Sequence, residues 1–298
     1  FTDIVIAFVD GGYSSTKVLT THGAPEIGIL DGISRMVDQE GVSLTDVEQI
    51  IHGTTLATNA LIERRGAKTA RVTTEGFRDV IETRTESRFE QYDLNIVLPS
   101  PLIERADRHV VSERLNARGE VLVPFDEDGA RALVERIGEA GYESVAVGFI
   151  HSYVNPVNEQ RFRDLLLADL PDIACSISSD VSPQMREFER FNTVCANAYV
   201  QPLMASYLVR LRDELATRGA TCPLHLIHSG GGLMSVDSAA AFPVRLVESG
   251  PAGGAIFAAD LAKRYGRDRV LSYDMGGTTA KIALIENHTP ATAKTFEV

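Results

Sequence analysis

Val270-Leu271-Ser272-Tyr273-Asp274-Met275-Gly276-Gly277-Thr278-Thr279-Ala280-Lys281-Ile282-Ala283-Leu284 decides the fold. The stretch reads as a strand, a turn of glycines and hydroxyls, and a second strand. Two adjacent glycines let a backbone approach a phosphate closely and aim its N–H groups at it, and Thr278 and Thr279 add hydroxyl donors. Asp274, at the strand end, is placed to hold a hydrated divalent cation, because Mg²⁺ takes few carboxylates and keeps several waters. A plain hairpin with a Gly-Gly turn fits the same residues. The lysine-bearing strand–loop–helix phosphate motif does not, because the chain re-enters a strand.

Upstream, Glu248-Ser249-Gly250-Pro251-Ala252-Gly253-Gly254-Ala255 precedes a helix expected from about 252 to 265. Small residues at a helix start admit either a phosphate, near the positive end of the dipole, or a closely packed neighbour. Glu248 stands where it positions a water or acts as a charge partner of the helix. His52-Gly53-Thr54-Thr55, with Thr58 and Asn59 one turn on, is a polar strand-to-helix junction, where α/β folds place ligands. It offers a ring nitrogen, hydroxyls and a carboxamide but one glycine. His52, Thr54, Thr55 and Asn59 are therefore assigned to an organic substrate or to inter-lobe coupling, against the alternative of a helix cap. His228-Ser229-Gly230-Gly231-Gly232 lines a cleft or makes a permissive turn. The charges of Arg186–Arg190 read as a solvated or internally paired helix face.

Apolar and β-branched runs alternate with helical periodicity through most of the 298 residues, which predicts an α/β fold with a mixed sheet, parallel in its middle. The expected elements include an opening hairpin around Asp10-Gly11-Gly12, a β-ribbon pairing 107–111 with 120–123, and a helix from Pro183 to about 218 that Pro202 divides. With 29 basic against 41 acidic residues the formal charge is −12, which disfavours nucleic acid and anionic membranes as partners. No apolar run reaches the roughly 20 residues of a membrane span. Three cysteines without a CxxC pair point to reduced thiols and a cytoplasmic setting.

The stretches "HGTTLATNALIERRGAKTARVTTEGFRDV", "GFIHSYVNP", "EFERFNTVCANAYVQP", "SGPAGG" and "DMGGTTAKIAL" together resemble the hydantoinase A/5-oxoprolinase family. That resemblance implies an actin-like, Hsp70-like and sugar-kinase-like (ribonuclease H-like) ATPase fold using ATP and Mg²⁺. It implies ATP-dependent opening of a cyclic amide, beside a hydantoinase B-type partner subunit or fused domain. Sister subfamilies carboxylate a ketone, and a non-catalytic nucleotide-binding regulator is the rival from another class. The resemblance matches Asp274 to Thr279 with the second phosphate hairpin, and Ser249, Gly250 and Gly253 with the helix start beneath it. Phe1-Thr2-Asp3 matches the tail of the first phosphate hairpin, which adds Asp3 to Asp274 as a metal ligand. The family reads Gly-Gly-Thr just before that Phe, so the chain is expected to be the N-terminal part of a longer subunit. It divides by motif into an N-terminal hydantoinase/oxoprolinase domain, 1–180, and the start of a core domain, 181–298.

Overall fold

The computed structural model describes residues 1–21, 23–85, 90, 92–275 and 280–293. In chain order the elements are β1 (Thr2–Ala7), β2 (Tyr13–Val18), α1 (Pro25–Glu40), β3 (Ile50–His52), α2 (Leu56–Ile62), β4 (Thr69–Thr74), α3 (Val80–Thr83), β5 (Arg108–Val111), β6 (Arg114–Leu115), β7 (Val121–Val123), α4 (Glu127–Glu139) and β8 (Ser144–Gly148). There follow α5 (Val157–Asp169), β9 (Ala174–Ile177), α6 (Ser178–Val181), α7 (Glu187–Thr217), β10 (Leu224–Ile227), β11 (Leu233–Ser235), α8 (Val236–Ala241), α9 (Ser249–Arg264), β12 (Arg269–Met275), β13 (Ala280–Glu286) and β14 (Thr289–Pro290). The chain folds into two compact units, one of residues 1–56 with 204 onward and one of residues 57–203.

In the second unit β5-β4-β8-β9 form an all-parallel sheet. All six residues of β4 and all five of β8 are buried, as expected for parallel strands covered on both faces. On one face Val72, Val145 and Val147 meet Leu133 and Ile137 of α4 and Phe162 and Leu166 of α5. Asp126 caps α4 by accepting from the Gly129 N–H at 3.1 Å. On the other face the Arg71 guanidinium stacks on Phe191 of α7, 4.8 Å from the ring centre.

The first unit holds three small sheets: β1-β2, β11-β10-β3 and β12-β13-β14. The opening hairpin is present, in register from Thr2↔Val18 to Ala7↔Tyr13. Helix α1 lies so close to it that a Cβ on Gly32 would sit 2.0 Å from Ile4 Cδ1. β3 and β10 run parallel, pairing Ile50 with Leu224, and β11 adds antiparallel.

The α/β alternation holds, but the strands fall into several sheets: β11-β10-β3 is mixed, whereas the four-stranded sheet is parallel throughout. The ribbon does not form as expected. The turn at Asn116–Gly119 zips the strands immediately beside it, β6 and β7, while residues 108–111 join β4. Gly76, with φ +87°, places a turn after β4, and α3 begins only at Val80.

Pro202 does not divide the helix: α7 runs unbroken from Glu187 to Thr217. A proline removes the N–H that would reach the carbonyl four residues back. Here that carbonyl, Ala198 O, accepts from the Ser144 hydroxyl at 2.6 Å. The adjacent Tyr199 O accepts from the Ala67 N–H at 2.8 Å. The turn before Pro202 therefore keeps these two acceptors satisfied in a buried setting.

Candidate functional site

In the first unit β12 and β13 pair antiparallel, with Asp274 opposite Lys281 and Met275 opposite Ala280. Asp274 is exposed at the turn end of β12. The turn itself, with Gly276, Gly277, Thr278 and Thr279, lies outside the described residues. The Lys281 ammonium forms an ion pair with the Glu248 carboxylate, both side chains about three-quarters buried. Burial pushes the Lys281 pKa down.

Glu248 is the N-cap of α9 and takes a left-handed conformation, φ +67°. A non-glycine residue there carries backbone strain, which the surrounding contacts must hold. Its carbonyl accepts from the Ala252 N–H at 3.3 Å. The helix begins at Ser249, earlier than the expected 252. Ser249 is buried, and its hydroxyl donates to Thr54 O at 3.3 Å. That bond ties the glycine-rich helix start to the loop that leaves β3. A Cβ on Gly250 would meet nothing nearer than Thr55 Cγ2 at 4.0 Å, and one on Gly254 nothing within 4 Å. Among the described residues, packing does not require glycine at either position. A Cβ on Gly253 would only touch Ile227, at 3.6 Å.

His52 ends β3, and its Nε2 shares a 2.7 Å hydrogen bond with the Tyr207 hydroxyl of α7. Burial lowers the His52 pKa to about 4, so the ring is neutral near pH 7, and burial raises that of Tyr207. Thr54 Oγ1 accepts from the Leu56 N–H at 3.2 Å. Thr55 is exposed on the same loop. Asn59, exposed on α2, falls in the second unit. Asp3, on β1, pairs with Lys17 of β2 at 3.2 Å on an exposed face. Among the described residues no group of three or more His, Cys, Asp or Glu is placed to hold a metal ion. Asp3 and Asp274 therefore belong to no such cluster among the described residues.

The structure thus brings Glu248, Ser249, Thr54 and Lys281 into one connected set, with Asp274 in register with Lys281. Lys281 escapes a motif reading that stops at the threonines, yet its place opposite Asp274 in the paired strands is a usable signal. Tyr207 has no signal, because 155 residues separate it from His52. The loop at His228 is a tight turn: the Gly230 N–H donates to His228 Nδ1 at 3.0 Å. Of the two readings of the Arg186–Arg190 charges, internal pairing holds: Arg190 lies 3.5 Å from Glu187 and Arg186 3.8 Å from Glu189, and Arg190 is not solvated. It is buried and donates to Phe149 O, Gln184 O and Ser178 Oγ at 2.9, 2.9 and 3.0 Å. The three cysteines are free. No described helix is long and apolar enough to cross a membrane.

The hydantoinase/oxoprolinase N-terminal region matches residues 1–169, and the hydantoinase/oxoprolinase model matches residues 190–298. The chain is 31% identical over 290 residues to the caprolactamase alpha subunit of Pseudomonas jessenii, covering 95% of this chain and 42% of that one. It is 29% identical over 302 residues to the acetophenone carboxylase gamma subunit of Aromatoleum aromaticum, covering 96% and 41%. In three dimensions it resembles nucleotide-free acetone carboxylase with a TM-score of 0.86 at 25% identity, covering 96% and 42%. It resembles the ATP-dependent caprolactamase of Pseudomonas jessenii with a TM-score of 0.83 at 30% identity, covering 95% and 42%. The chain spans about two fifths of the length of these relatives. With family models matching along both its halves, and with paired strands and a helix start where the motifs lie, the chain belongs to the hydantoinase/oxoprolinase family.

Proposed function

We propose that the chain is part of the ATP-using subunit of a cyclic-amide hydrolase, acting on a hydantoin, 5-oxoproline or a related lactam. One observation carries this reading. The Lys281–Glu248 ion pair joins the hairpin bearing Asp274 to a helix start where a Cβ on Gly250 or Gly254 would meet no close neighbour among the described residues. Open glycines at a helix N-terminus suit a polyphosphate. We assign nucleotide contacts to Ser249, Gly250, Gly253 and the 276–279 turn, and a hydrated Mg²⁺ to Asp274, with Asp3 as a second carboxylate. Glu248, released from Lys281, orients water. ATP supplies a phosphoryl group that turns the amide oxygen into a leaving group, which an unactivated amide lacks. The chain's part is positioning and charge neutralisation. Thr54, Thr55, His52 and Asn59 serve the substrate side or its coupling to the nucleotide. The parent fold is of the actin-like ATPase type, the subunit is cytoplasmic, and a hydantoinase B-type partner completes it.

A ketone carboxylase is the second reading, favoured by the slightly higher structural similarity to acetone carboxylase. Sequence identity favours the lactam branch, 31% against 29%. The test is phosphate release by the complete subunit with its partner. Lactams or hydantoins should stimulate release without bicarbonate. Stimulation only by a ketone together with bicarbonate would select the carboxylase.

A further inference from the structure

Strand alternation puts Lys281, Ala283 and Ile285 on one side of β13. Ile285 is buried against Ala259 and Ala262 of α9, so this side faces the helix. Lys281 is the charged member of the three, in a row where the helix calls for apolar residues. Drawing an ammonium largely out of water is costly unless an anion meets it. Its neighbour in register across the hairpin is Asp274, the ordinary partner for a lysine in an antiparallel pair. The ammonium pairs with Glu248 instead.

Glu248 is the N-cap of α9, yet its side chain makes no capping hydrogen bond to that helix. The carboxylate brings the Lys281 ammonium to the positive end of α9, where a cation is disfavoured and an anion favoured. Ammonium and helix start thus call for the same kind of group. A polyphosphate meets that demand better than Glu248 does. It carries several negative charges, and its oxygens accept from a lysine and from backbone N–H groups together. Lys281 also follows Thr279 by two residues in sequence, next to the turn assigned to phosphate above.

We propose that Lys281 is a phosphate ligand for which Glu248 and the nucleotide compete, so that binding of the polyphosphate is the event that frees Glu248. This rests on the nucleotide reading above and gives that site a regulating residue. Glu248 then holds nucleotide affinity down, and its carboxylate becomes available only once phosphate has taken the ammonium. A pair that merely braces the fold makes the opposite prediction: breaking it from either side leaves nucleotide affinity unchanged or lower.

The test is a calorimetric titration of the complete subunit with its partner, using Mg²⁺ and the β,γ-imido analogue of ATP, whose terminal phosphoryl group is not transferred. Lys281→Met should weaken binding about tenfold or more, and Lys281→Arg, which keeps the charge, should retain most of the wild-type affinity. Glu248→Gln should tighten binding about threefold or more, and should have no such effect in a Lys281→Met background. Circular dichroism of each variant establishes that it is folded; if Lys281→Met is not, Glu248→Gln decides alone. Unchanged or weakened binding by folded Glu248→Gln overturns the exchange. Gly250→Val tells that failure from a failure of the nucleotide reading. If Gly250→Val weakens binding and Glu248→Gln does not tighten it, nucleotide binds here without the exchange. If neither Gly250→Val nor either single substitution of the pair alters binding, the nucleotide lies elsewhere and both readings fall.

Discussion

His52 shows how burial changes what a residue can do. A free imidazole is the natural switch near neutral pH. Here the Tyr207 hydroxyl engages Nε2 and burial holds the pKa near 4, well below the unfolded value of about 6.5. The unfolded chain therefore takes up a proton first as pH falls. The stability contributed by neutral His52 is complete above about pH 6.5 and is lost as pH drops towards 4. Such a shift carries at most about 3 kcal/mol, and the partial exposure of the residue brings the loss below that. Urea melts from pH 4 to 7 on wild type and His52→Gln should show a steeper pH dependence in wild type; equal slopes would contradict the assignment. Ser249 gives a second residue-scale expectation. Ser249→Ala removes the donor to Thr54 O and should cost about 1–2 kcal/mol. A change under about 0.3 kcal/mol by denaturant unfolding would show that the carbonyl finds another donor.

At the scale of elements, α7 and its proline are the clearest case. Ser144 supplies the donor that Pro202 lacks. Ser144→Ala should destabilise by about 1–2 kcal/mol, and much less in a Pro202→Ala background, where an N–H returns to Ala198 O. A double-mutant cycle with no coupling would refute this account. The same case shows where the sequence stops being informative. Proline marks a helix boundary by local sterics, and the remedy lies 58 residues away on β8. The hairpins β1–β2 and β12–β13 were legible because their signals are local: alternation around a glycine turn. The ribbon was misread because strands were matched by apolar character and not by their distance from the Asn116–Gly119 turn. In the candidate site, Asp274, Glu248 and Ser249 were legible as motif residues. Their connection through Lys281 and Thr54 depends on tertiary contacts that no spacing reveals.

For the whole molecule, β3 pairs with β10 across more than 170 residues, so sequence from both sides of position 180 shares one sheet. The compact units therefore interleave along the chain, while the family matches run 1–169 and 190–298. This arrangement puts the loop after β3 and the start of α9 in one unit, joined by the Ser249–Thr54 bond. Within that unit Lys281 carries the link on to the hairpin of Asp274. The central claim is that this connected set handles ATP. It is tested most directly by lactam-stimulated phosphate release from the complete subunit and its partner, comparing wild type with Asp274→Ala at saturating Mg²⁺. The account predicts a loss of at least 100-fold, about 2.7 kcal/mol of transition-state stabilisation, with circular dichroism and melting temperature unchanged. Wild-type phosphate release from a folded Asp274→Ala protein would contradict it.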